Sequence, residues 1–304
     1  LDIKFKIDFC KNFENEEKKG MPKKNRLIEL ILLLAAVVSV ISVLLITIFI
    51  FKEGFSIIKE YGLFNFILGT KWAPLSGKFG ILPMIIGSVY VTLGAIIIGV
   101  PIGIATAIFL GELVSEKVAR AVRPFVELLA GIPSVVYGFY GLVVIVPLIR
   151  KMFGGSGFSV LASSIILGIM ILPTIINISE VSIRSVPKEY KEGSLALGAT
   201  HWQTIKGVIL PAARSGIIAS VILGMGRAIG ETMAVIMVAG NSPKIPKGIF
   251  DQVRTLTGNI AIEMGYASGK HAQALFATGI VLFVIIMILN TIANVIARRV
   301  GEER

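Results

Sequence analysis

Long apolar runs alternate with short polar ones along this chain. Six of the runs are Leu30–Phe51, Ile81–Leu110, Phe125–Ile149, Phe158–Ser179, Ser215–Gly240 and Ala272–Ala297. Each reaches the length a helix needs to cross a bilayer, about 20 residues. In hydrocarbon every backbone N–H and C=O must find its partner within the protein, and a helix supplies these partners along its own length. The expectation is therefore an all-α membrane protein with six transmembrane helices. Composition agrees, with 55% apolar and only 16% charged residues. A soluble domain of this size has too little interior to hide so much apolar surface. A soluble enzyme is excluded on the same ground.

The formal net charge is +11. Nucleic acid is not the expected partner, because the basic residues sit in loops between apolar runs. With the N-terminus inside, the segments 1–26, 111–124, 180–214 and 298–304 hold 19 Lys/Arg, against 10 on the other side. This asymmetry predicts cytoplasmic N- and C-termini and places residues 187–211 in the cytoplasm. The single cysteine, Cys10, cannot form an intrachain disulfide, and His201 and His271 have no ligand-spaced partners for a metal. Residues 1–26 carry eight Lys/Arg and five Asp/Glu and are expected to form a disordered cytoplasmic tail, with Met21 a natural start. The first apolar run is too long for a signal-peptide core and reads as a retained anchor. The organisation expected is thus a tail at 1–26, a first transmembrane helix and outer loop at 27–80, and a five-helix core at 81–300. Glycines recur on the second run (Gly94, Gly99, Gly103) and the fifth (Gly224, Gly226, Gly230), which suits close helix approach.

The polar stretch Glu192–Pro211 has a fixed grammar: Glu192, then Gly198, then Val208 and Leu210-Pro211. Pro187 suits a helix start, Lys188–Ala196 a short helix, and Gly198 the left-handed residue that ends it. His201–Val208 fits a second short helix, and Pro211 a start for the fifth span. The stretch resembles the EAA loop of ABC-importer permeases, the cytoplasmic segment that docks into a separate ATPase subunit. Gly193 and Ser194 stand where two alanines usually follow the acid. By that resemblance Glu192, Gly198, Leu210 and Pro211 are the ATPase-coupling residues. An ordinary amphipathic surface loop is the alternative. The chain contains no Gly-x-x-x-x-Gly-Lys-Ser/Thr run, so ATP hydrolysis is expected from another polypeptide.

The fifth run holds Arg227 and Glu231 among apolar residues. Arg227 lies about 18 Å along the helix from Ser215 at 1.5 Å per residue. Charges at that depth are costly and normally face a cavity or a partner. Spacing of i and i+4 places the two on one helix face, with Gly226 and Gly230 leaving room beside them. One reading is an anion passage, with the guanidinium fork suited to an oxyanion. The other is a structural ion pair that fixes helix packing.

Further segments extend the resemblance: Trp72-Ala-Pro74, Phe79-Gly-Ile-Leu-Pro83, Gly131–Gly141 and Gly226–Ala234. Together they look like the permease of the phosphate-specific ABC importer, closer to its PstC-type than its PstA-type subunit, over roughly residues 27 to 300. The resemblance implies a MetI-like permease fold and passage of inorganic phosphate by alternating access, through Arg227 and Glu231. It also implies a PstA-like sister permease, two PstB-like ATPase subunits and an extracytoplasmic PstS-like phosphate-binding protein. No cofactor is expected in this chain, since ATP and Mg would be held by the partner ATPase. Two alternatives remain open at this point, a permease for sulfate or molybdate and an ion-coupled secondary transporter.

Overall fold

The computed structural model of the chain describes residues 23–302. The expected N-terminal tail therefore lies outside the described residues up to residue 22. The chain divides into two compact units, Leu1–Lys52 and Glu53–Arg304. What is described of the first is most of helix α1 (Lys23–Tyr61), which is apolar on every side, as a helix solvated by lipid is.

After α1 come a short helix α2 (Leu63–Leu68) and an antiparallel hairpin of β1 (Trp72–Ala73) and β2 (Lys78–Phe79). In register Trp72 faces Phe79 and Ala73 faces Lys78. Gly77, at φ 66°, closes the hairpin turn in a conformation that favours glycine. Then follow α3 (Leu82–Leu113), α4 (Glu116–Gly131), α5 (Ser134–Phe153), α6 (Val160–Arg184), α7 (Lys188–Ala196), α8 (His201–Gly230), α9 (Met233–Val238), α10 (Leu256–Glu263) and α11 (Lys270–Glu302). Among the described residues six helices are long and apolar enough to span a membrane: those in α1, α3, α5, α6, α8 and α11.

The centre of the second unit is α6, packed on α3 and α8. Ile166, Leu167, Ile171 and Ile175 of α6 are almost fully buried. Glycines set the approach of α3. A β-carbon on Gly94 would lie 2.1 Å from the Ser164 hydroxyl, and on Gly99 or Gly103 2.8 Å and 2.7 Å from Ile171 and Ile175. Gly224 on α8 meets Ile175 in the same way, at 3.1 Å. These four glycines are packing residues. Gly226 and Gly230 are not: a β-carbon there meets nothing within 4 Å in this chain. The packing expected of that pair is not made against another helix of this chain.

Two spans differ from the sequence expectation. The third does not begin at Phe125. Residues Glu116–Gly131 form the separate amphipathic helix α4, with Ala119 and Val126 buried and Glu116, Lys117, Arg120, Arg123 and Glu127 in its sequence. The chain breaks at Ile132-Pro133, where Ile132 is extended (ψ 125°). A residue before proline is driven out of helical geometry, which ends α4 and lets α5 start afresh. The Tyr137 hydroxyl donates to the Leu129 carbonyl at 2.8 Å, satisfying one acceptor freed by the break.

The fifth span begins earlier than Ser215 and ends earlier than Gly240. The second short helix of the polar stretch runs without interruption into the span as α8. Pro211 does not start it. Instead the helix widens at Ile205–Ile209, where the Leu210 N–H reaches back five residues to the Ile205 carbonyl. The same widening at Gly141–Ile145 precedes Pro147 in α5. A proline has no N–H and crowds the carbonyl four residues back, and one widened turn relieves both problems.

Candidate functional site

The far end of α8 carries the two charges singled out above. Arg227 lies in its last turn, where the carbonyl end of the helix dipole favours a cation. The side chain is exposed in the chain and makes no ion pair among the described residues. Its Nη1 donates to Thr174 Oγ1 on α6 across a long 3.5 Å.

Glu231 does not continue that helix face. It is extended (φ −68°, ψ 133°) and begins the break between α8 and α9. Its Oε1 accepts the backbone N–H groups of Thr232 at 3.1 Å and Ala234 at 3.2 Å. In an uninterrupted helix those two N–H groups would bond carbonyls four residues back. The Thr232 hydroxyl donates to the Gly230 carbonyl at 3.2 Å, and the Thr257 hydroxyl to the Glu231 carbonyl at 3.0 Å. The break is thus satisfied by side chains from both sides of it. The i, i+4 reading of Arg227 and Glu231 is corrected: the acid caps a helix break, and the arginine is left without a carboxylate.

At the other end of α8 the polar stretch folds as two short helical elements joined by a turn. α7 spans Lys188–Ala196, the bounds expected from its residues. Gly198 has φ 85°, the left-handed conformation expected of it. Thr200 then caps α8. Its Oγ1 accepts the Gln203 N–H at 3.3 Å, and Gln203 Oε1 accepts the Thr200 N–H at 2.8 Å. Ser194 and Thr204 join the two elements through their hydroxyls at 3.0 Å. Glu192, Gly198 and Pro211 are exposed, and Leu210 is half-buried. Leu197 is 90% exposed and Trp202 59%, with Tyr190 and Leu195 also uncovered beside them. Under α8 the cluster Ala107, Ile183, Ile205, Ile209 and Ala213 fixes it to α3 and α6.

An ionic network that the sequence reading missed lies at this end. Glu180, 5% exposed on α6, accepts from Arg123 Nη2 at 2.7 Å and from Arg184 Nε at 2.9 Å. Glu116 accepts from the same two arginines at 2.9 and 2.8 Å. The hydrogen bonds from Arg123 and then Arg184 hold the Glu116 carboxyl below its ordinary value. Glu180, then Glu116, hold the Arg123 guanidinium above its own. Lys191 of α7 binds Glu112 at the end of α3 at 2.6 Å. Only the i, i+4 spacing of Glu180 and Arg184 was visible in the sequence. At the hairpin end, Glu263 accepts from Arg254, His271 and the Trp72 indole, at 2.5, 2.7 and 2.8 Å. Among the described residues no cluster of His, Cys, Asp or Glu suits a metal ion.

Residues 99–302 match the family described as the binding-protein-dependent transport system inner membrane component. The chain belongs to this family. As a member it is a multi-pass membrane protein and a transport component. The probable ABC transporter permease protein YqgH of Bacillus subtilis is 40% identical over 91% of this chain and 94% of its own. The phosphate transport system permease protein PstC of Mesorhizobium japonicum is 37% identical over 85% of each chain. Among solved structures, an inward-facing form of the MetNI methionine ABC transporter superposes with a TM-score of 0.56 at 20% identity, over 76% of this chain and 99% of that one. The fold is that of the MetI-like permeases, as expected. The family match begins within α3 and includes the polar stretch, the broken fifth span and α11.

Proposed function

We propose that this permease passes inorganic phosphate inward across the cell membrane by alternating access, driven by a separate ATPase. Relatives over most of the chain carry the name of phosphate permeases, which supports this substrate. The observation that carries the reading is Arg227: a permanent cation in an apolar helix, exposed, with no carboxylate partner among the described residues. A charge so placed needs a polar path or another polypeptide to face it. It stands one helical turn before a helix break, and transporters bind substrate at such discontinuities in their helices. A guanidinium offers an oxyanion a fork of donors without needing to lose a proton.

In this reading Glu192, Gly198, Leu210 and Pro211 belong to the segment that docks on the ATPase. The uncovered apolar side chains of Leu197 and Trp202 on an otherwise polar segment support a protein partner there. The assembly would comprise a sister permease, two cytoplasmic ATPase subunits that hold ATP and Mg, and an extracytoplasmic phosphate-binding protein. Both termini would be cytoplasmic, a placement that the Lys/Arg distribution supports.

The test is uptake into vesicles containing the assembled complex, with binding protein outside and ATP inside, using labelled phosphate, sulfate and molybdate. ATP-dependent uptake of phosphate well above the other two is expected. Uptake of sulfate or molybdate in preference, or phosphate uptake without ATP, would overturn the proposal.

A further inference from the structure

α7 buries none of its residues. It is therefore not held to the bundle by a hydrophobic seat of its own. α8 differs, because Ile205 and Ile209 are buried in one cluster with Ala107 of α3 and Ile183 of α6. α7 meets α8 through the Ser194 and Thr204 hydroxyls at 3.0 Å, and it meets α3 through the ion pair of Lys191 Nζ with Glu112 Oε2 at 2.6 Å. The Glu112 side chain is 10% exposed and that of Lys191 35%, so the carboxylate is largely shielded from water while the ammonium is not.

Glu112 sits in a special place. α3 ends in a widened turn, Phe109–Leu113, closed by the Val114 N–H on the Phe109 carbonyl. Such widened turns are rare and occur frequently at functional sites. Arg184, at the end of α6, donates through Nη2 to the Leu110 carbonyl of this same turn at 2.7 Å. Its Nε and Nη1 are anchored on Glu180 and Glu116. Two cations thus grip one turn two residues apart. Arg184 is anchored to the bundle, whereas Lys191 rides on the exposed helix.

Building on the proposed docking role of the polar stretch, we infer that the Lys191–Glu112 pair is the link through which movement of α7 is passed to the end of α3. Arg184 on Leu110 is the fixed point against which the turn works. Lys191 and Glu112 are positioning residues. They touch neither phosphate nor nucleotide, and they decide how much helix movement accompanies each ATP hydrolysed. The pair connects a segment that would follow the ATPase to a transmembrane helix packed on α6.

The test uses the assembled complex in vesicles and reads three quantities: ATPase subunits retained on the permease, ATP hydrolysed, and phosphate taken up. Lys191→Glu and Glu112→Lys are each expected to retain the ATPase subunits and to lower uptake per ATP about tenfold, an ordinary size for coupling between sites. The reciprocal exchange Lys191→Glu/Glu112→Lys should recover most of the loss, and Lys191→Arg should resemble the wild type. Wild-type uptake per ATP in both single variants would overturn the inference. So would loss of the ATPase subunits from them, which would make Lys191 a docking residue. If the single variants fail to accumulate, the exchange decides: assembled and transporting supports the link, assembled but uncoupled overturns it. Gly198→Asp separates this from the underlying reading. It should release the ATPase subunits, and a complex that stays bound and active in that variant refutes the docking role itself, whatever Lys191 does.

Discussion

Two arginines of this permease are treated in opposite ways. Arg254 is held at the hairpin end, its side chain 13% exposed, on Glu263, whose side chain is 8% exposed. Glu263 is shared with His271 and the Trp72 indole, and Arg254 also reaches the Asn241 carbonyl at 2.8 Å and Asn259 Oδ1 at 3.1 Å. Among the described residues Arg227 has one long hydrogen bond and no carboxylate. A charge held by a buried carboxylate and two further acceptors inside the chain is there to hold the fold. A charge left exposed on an apolar helix has its donors available for something else. Burial and pairing therefore separate structural charge from functional charge, which residue type alone does not.

The comparison can be broken at either arginine, and the largest effect is expected at the buried one. Arg254→Leu leaves Glu263 buried with two partners in place of three and should destabilise the permease by about 3 kcal/mol. Thermal unfolding of the purified protein measures this. A change near zero would show that Arg254 is no more structural than Arg227. A smaller effect is expected at Glu231. Glu231→Ala removes both backbone contacts at the break and should cost about 1 kcal/mol, as loss of a helix cap does. Glu231→Gln keeps an acceptor oxygen in place and should cost less than half of that. A loss in the glutamine variant as large as in the alanine variant would mean that the charge, and so a pair with Arg227, was what mattered.

The sequence was informative where a local signal decides the local structure. The six apolar runs locate the spans, and Pro187 with Gly198 brackets α7 at both ends. It was less so where a side chain replaces a backbone partner. Periodicity through Glu231 is helical, yet its carboxylate takes N–H groups that helix carbonyls would otherwise receive, and no spacing rule announces that. Pro133 ends α4, but the apolar run from Phe125 to Ile149 passes through it, and apolar content alone does not mark the break. Gly226 and Gly230 looked like packing glycines because composition does not say which helix faces which. The Glu180 network joins residues 57 and 68 apart, a register that only the packing of α4, α3 and α6 establishes. Gly198 is a mixed case. Its positive φ was foreseen, but a side chain there would meet open space in this chain, so its constraint is backbone strain and not a clash.

The central claim is that Arg227 serves passage of the anion and not the fold. Arg227→Gln tests it most directly, because glutamine keeps hydrogen-bonding ability and removes the charge. Complex assembly and ATP-driven phosphate uptake are measured on the same vesicles. The account predicts assembly at the wild-type level, a stability change within about 0.5 kcal/mol as for other exposed positions, and uptake reduced to background. Near-normal uptake by a fully assembled Arg227→Gln complex would contradict it.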